Sequence, residues 1–121
     1  MANSLRPLRW MGSSQDDLRH FPNEAKRIVG FALFEAQEGR KHHSVKPLLG
    51  FGGASVLEVI ANDDGDTYRA VYTVRFNEAT YVLHAFQKKS KSGAKTPQQE
   101  LDLVRRRVKA AAVEHRAWRK E

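Results

Sequence analysis

The 121-residue chain has no cysteine, which excludes disulfides, thiolate-bound zinc and a cysteine nucleophile. Proline is scarce, at 4 residues, and no stretch approaches the ~20 apolar residues of a bilayer span. The start, Met1-Ala-Asn-Ser-Leu-Arg-Pro7, lacks a signal-peptide core, so a cytoplasmic protein with no membrane contact is expected. No phosphate-cradling glycine loop and no serine-triad signature occurs, and the adjacent His42 and His43 have no third ligand at usual metal spacing. Neither a metal nor a cofactor is expected. Acidic residues are the minority, 14 against 21 lysines and arginines, for a net charge of +7. That surplus favours polyanions, namely RNA, DNA or an acidic protein. Its plainer use is solubility.

The length suits one domain, residues 1–121, and the 40% hydrophobic content can fill a core unaided. Leu5 to Trp10 reads as a short edge strand, since Pro7 cannot donate to a ladder. Ser14 and Asp17 resemble a capping box opening a short helix. A second helix runs from Pro22 or Asn23 to about Glu38, its buried stripe being Ala25, Ile28, Val29, Ala32, Leu33 and Ala36. Residues 39–55 read as a loop, basic first and glycine-rich later. Strands follow at Val56 to Ala61, Thr67 to Phe76 and Ala79 to Gln87, with Asn62-Asp-Asp-Gly65 and Asn77-Glu78 as turns. After a basic loop from Lys88 to Lys95, Thr96-Pro97 and Gln99 cap a last helix to about Trp118. Its stripe is Leu101, Val104, Val108 and Ala112. The predicted class is α+β in the order β-α-α-β-β-β-α, an antiparallel meander with helices on one face.

Register follows from the turns. A four-residue loop at 62–65 sets Glu58 opposite Arg69, and a two-residue turn at 77–78 sets Val71 opposite His84 and Arg69 opposite Phe86. One face then carries Leu57, Val59, Tyr68, Ala70, Tyr72, Val74, Phe76, Tyr81, Leu83 and Ala85, to pack on the helices. The other carries Val56, Glu58, Ile60, Arg69, Val71, Thr73, Arg75, Val82, His84, Phe86 and Lys88. This mixed, half-open face is the candidate site. Arg69 has two uses: an ion pair with Glu58, or a planar fork holding a phosphate that gains charge in a transition state. His84 is either a satisfied structural histidine or an acid or base, histidine having a reference pKa of ~6.5. His42 and His43 are either solvent-exposed or functional, between Lys41 and Lys46. Lys88, Lys89, Lys91 and Lys95 form either a solvated run or phosphate contacts. Arg105-Arg106-Arg107, spread around a helix, reads as surface, and His115 has no evident partner.

The run from Gly65 to Arg75, then Tyr81-Val-Leu-His-Ala-Phe-Gln-Lys-Lys-Ser90 and Lys95-Thr-Pro97, resembles the phage-related HigB-like branch of the RelE/ParE toxin superfamily. Arg9-Trp10 with Gly12-Ser-Ser14, and Lys46-Pro-Leu48 before a glycine-rich bend, add to the likeness, which spans roughly residues 5 to 115. The resemblance implies the toxin of a type II toxin–antitoxin module, a metal-independent mRNA endoribonuclease (mRNA interferase) acting on translated mRNA at the ribosome. It implies a helix-turn-helix antitoxin as partner, and a RelE-like antiparallel sheet with two N-terminal helices and a C-terminal helix. The family's strand arginine falls on Arg69, its basic residues after the last strand on Lys88 and Lys89, and its basic loop on Lys41 to Lys46. With His84 these make the expected catalytic set Arg69, His84, Lys88 and Lys89. The expected RNA-binding set is Lys41, His42, His43, Lys46, Lys91 and Lys95. The chain departs from some RelE toxins in having no tyrosine after Tyr81. The alternative is a ParE-like inhibitor of DNA gyrase, with no catalytic activity.

Overall fold

The structure, a computed structural model, describes residues 5–88 and 96–119. Strand β1 (Leu8–Trp10) precedes helices α1 (Ser14–Arg19) and α2 (Asn23–Gln37). Strands β2 (Val45–Pro47), β3 (Val56–Asp63), β4 (Asp66–Thr73) and β5 (Thr80–Lys88) follow, then helix α3 (Gln98–Arg119). They form an α+β fold on one sheet of order β1-β5-β4-β3-β2. The expected meander β3-β4-β5 is its antiparallel centre, and β1 adds in parallel to β5, so the sheet is mixed. Strand β2 lies inside what reads as a loop. It is three residues long and ends in a proline, so it carries no period, and it exists as an edge paired to β3 through Lys46 and Glu58.

The β3-β4 turn is tighter than expected. Asp63 pairs with Asp66, and Asp64 and Gly65 both take positive φ (51° and 85°), as a two-residue hairpin turn requires. Glu58 therefore faces Val71, and Arg69 faces Ile60. The displacement is two positions, so every side chain keeps its face.

In the β4-β5 pair Val71 faces His84 and Arg69 faces Phe86, as read from the sequence. Beyond that a bulge intervenes. Tyr72 pairs with Val82, Leu83 is the extra residue, and the ladder stops at Thr73 and Tyr81 instead of closing on Asn77-Glu78. The bulge flips the alternation, so Tyr81 and Leu83 join the core opposite to the one expected, and Val82 does the reverse. Its carbonyls bond outside the ladder. Val82 O accepts Met11 N–H (2.9 Å) and the Ser14 hydroxyl (3.2 Å), and Leu83 O accepts Arg107 Nη1 (2.9 Å). Ser14 is thus a buried anchor and no helix cap, and Arg107 is a tether to the sheet.

Both sheet faces are covered. On one, Ala25, Val29, Ala32 and Leu33 of α2 pack against Val59, Ala70, Tyr72 and Ala85. On the other, Val104, Val108 and Ala111 of α3 pack against Val56, Val71, Tyr81 and Leu83. The α3 stripe continues through Ala111 and His115, where Ala112 was expected. The mixed face is therefore roofed by α3 rather than half-open.

Candidate nucleic-acid site

Strand register sets the chemistry of the α3-covered face. Lys46, Glu58, Val71 and His84 form one row across β2 to β5, and Ile60, Arg69 and Phe86 the next, with Lys88 one step beyond. Sequence reasoning places Glu58, Arg69, His84 and Lys88 on one face, as the structure does, but leaves Lys46 in a loop. It misses their enclosure: Glu58 is 1% exposed, Arg69 4% and His84 6%.

Glu58 and Arg69 make a diagonal ion pair, Nη1 to Oε1 at 3.2 Å. Thr96 closes the triangle, its hydroxyl donating to Glu58 Oε2 (2.9 Å) and accepting from Arg69 Nη1 (3.4 Å). The Thr96 side chain is spent on this contact instead of capping α3. His84 stacks on Phe86 (4.8 Å between rings, 24°) and donates Nε2–H to Glu100 Oε1 at 2.6 Å. The other ring nitrogen, Nδ1, is a buried atom with no hydrogen-bond partner among the described residues. The Lys88 ammonium titrates below the ordinary lysine range. Burial is the main cause and the Arg69 charge the next; Glu58 opposes them and Lys46 adds a smaller push.

Beside these groups lies a groove of about 380 Å³ lined by Lys46, Leu48, Leu49, Glu58, Thr96 and Gln98. It joins exposed Lys46 to the buried carboxylate that holds Arg69. An anion in this groove has the Lys46 ammonium to meet, with Arg69 buried behind Glu58, and an apolar wall along one side.

The structure does not bring the remaining expected residues into this site. His42 and His43 stack on each other (4.1 Å) against α2, in a separate cavity with Arg27, Ile28 and Phe31. Lys41 lines a third groove beside Arg6 and Arg40. The turn into edge strand β2 carries the histidines to the α2 side while Lys46 faces α3, so neither is an acid or base for the Arg69 site. Lys89, Lys91 and Lys95 lie outside the described residues.

Two site residues escape the sequence reading, Thr96 and Glu100. Their signal was indirect: α3 has to cover the mixed face, and a carboxylate one position before the apolar Leu101 then falls near His84. His115 also acquires partners. Its Nδ1 meets Tyr81 Oη (3.0 Å) and its Nε2 meets Glu78 Oε1 (2.8 Å). Among the described residues no group of three histidines or carboxylates is placed to hold a metal ion, and no helix is long and apolar enough to cross a membrane.

A family model described as "Phage derived protein Gp49-like (DUF891)" matches residues 16–109, which include Glu58, Arg69, His84, Lys88 and Glu100. No curated protein and no solved structure gave a match. The chain belongs to the Gp49-like family of phage-derived, toxin-like proteins.

Proposed function

We propose that the protein is the toxin of a type II toxin–antitoxin module, a metal-independent endoribonuclease that cuts translated mRNA at the ribosome and is neutralised by a helix-turn-helix antitoxin. The observation that carries the reading is the convergence on one sheet face of Lys46, Arg69 and Lys88 with a carboxylate-held histidine, His84, beside an open groove. In this mechanism the 2′-hydroxyl of the substrate attacks the adjacent phosphorus. Its proton passes to the His84–Glu100 pair, a 2′,3′-cyclic phosphate forms, and the departing 5′-oxygen takes a proton from the Lys88 ammonium. Burial already pushes that ammonium toward release. Arg69, held in place by Glu58 and Thr96, presents its planar fork to the phosphoryl oxygens as their charge grows.

The test is 5′-end mapping of mRNA after brief induction, wild type against Arg69→Lys. Lysine keeps a charge beside Glu58 but lacks the fork, so the variant folds and loses cleavage by about 100-fold or more. New ends in translated messages, absent from the variant, support the ribonuclease.

One observation favours the ParE-like reading, inhibition of DNA gyrase without catalysis. Arg69 and His84 are each paired with a carboxylate and buried, as structural groups are. Intact mRNA with broken DNA, at equal toxicity in wild type and Arg69→Lys, selects it.

A further inference from the structure

The rings set aside by the site above form a surface feature of their own. Phe31 stands out from α2, 55% exposed. His42 lies 6.5 Å from it, centroid to centroid, and stacks on His43 at 4.1 Å and 28°. The His42 ring is held in place, because Nδ1 accepts the Ser44 backbone N–H at 3.0 Å. Together with Arg27 these groups line a cavity of about 380 Å³ open to solvent. Its carboxylates are already answered: Glu24 by Arg27, and Glu35 by Arg40 at 3.7 Å. Two stacked imidazoles with an exposed phenyl ring and Arg27 beside them, on a chain of charge +7, match the chemistry of an unpaired nucleobase next to its phosphates.

Position adds to the case. Three residues lie between His42 and Lys46, and the chain linking them reaches at most about 14 Å. That path runs around the edge strand β2, from the α2 side of the sheet to the groove. A single strand with one phosphate at Lys46 is then within a few nucleotides of the rings.

We infer that Phe31, His42 and His43 form a stacking site for an unpaired base of the same RNA strand that occupies the Lys46 groove. The inference rests on the ribonuclease reading and extends it. The protein grips its substrate on both sides of β2, and prefers single strands long enough to cross that edge.

Fluorescence anisotropy of the full chain with a fluorescein-labelled RNA heptamer and a dinucleotide provides the test. Phe31→Ala and His43→Ala both truncate exposed side chains, and circular dichroism checks that each folds. The heptamer-to-dinucleotide affinity ratio is expected to fall about 5- to 100-fold in each, the worth of one stacked base. Phe31→Trp is expected to hold or raise it. An unchanged ratio in the folded variants overturns the stacking site and leaves Phe31 as part of a protein-contact patch with Phe34. Wild type that binds neither RNA overturns the stacking site, whereas translated mRNA left intact in the 5′-end mapping overturns the ribonuclease reading on which it rests.

Discussion

Glu58 carries more of the candidate site than any other single residue. Its two oxygens receive Arg69 and Thr96, and it faces Lys46 across the β2-β3 ladder. Removing one partner of a buried pair strands the other's charge, so Glu58→Gln is expected to cost about 3 kcal/mol in urea unfolding. Replacing both partners, Glu58→Gln with Arg69→Met, is expected to recover most of that loss, since the penalty belongs to the lone charge. An additive double variant would show that the two side chains do not act as a pair. Lys88 makes the complementary case. Its folded pKa lies below its unfolded one, so between the two values the unfolded chain binds more protons and stability rises with pH. Below that window the charged ammonium costs the fold its full penalty. Lys88→Met should therefore raise Tm at pH 7, by a margin that shrinks as pH climbs toward the unfolded lysine value of ~10.4. The same variant is expected to lose RNA cleavage. Greater stability with lost activity marks a group retained for chemistry.

At the scale of elements, α3 is pinned to the sheet at both ends. Thr96 and Glu100 hold its start to Glu58 and His84, Arg107 holds its middle to Leu83 O, and His115 holds its last turns to Tyr81 and Glu78. Phe76 and Trp118 flank the His115 ring, and the Arg9 guanidinium lies over Trp118. His115→Ala is expected to destabilise by about 2–4 kcal/mol, by a cavity plus an unpaired buried Tyr81 hydroxyl. The contact also has an acid limb. The hydrogen bond from His115 is the main cause holding the Glu78 carboxyl below its ordinary range, so this stability is present above the unfolded carboxylate pKa and is lost as pH falls through the folded value. Glu78→Gln should flatten the acid side of the stability profile, read as Tm between pH 6 and 3. The helices and the meander were legible because their periods, 3.6 and 2, run for several repeats through residues such as Ala25 to Ala36 and Val56 to Ala61. The bulge at Leu83 was not. Its carbonyls bond to Met11, Ser14 and Arg107, and no local pattern announces partners so distant in sequence.

Over the whole molecule, surplus charge and buried chemistry separate. Lys46 read as part of a loop, whereas the strand pattern predicted which side chains share a face, so Glu58, Arg69, His84 and Lys88 could be grouped from sequence. Enclosure could not be, since it depends on α3 crossing that face rather than joining α2, a choice that amphipathicity leaves free. Basic composition likewise did not separate Lys46, which lines the groove, from Lys41, His42 and His43, which lie elsewhere. Salt dependence does separate them. For a single strand, the logarithm of affinity falls with that of salt by about 0.7 per phosphate neutralised. If Lys46, Arg69 and Lys88 each neutralise one phosphate, a short RNA confined to the groove should show a slope near −2. Lys46→Ala, at an exposed edge position that costs the fold little, should reduce that slope by about 0.7. Lys41→Ala should leave it unchanged, because that side chain lies in another groove. Equal effects of the two variants would mean that the protein meets RNA through diffuse charge alone, and that the groove has no special claim on the phosphate.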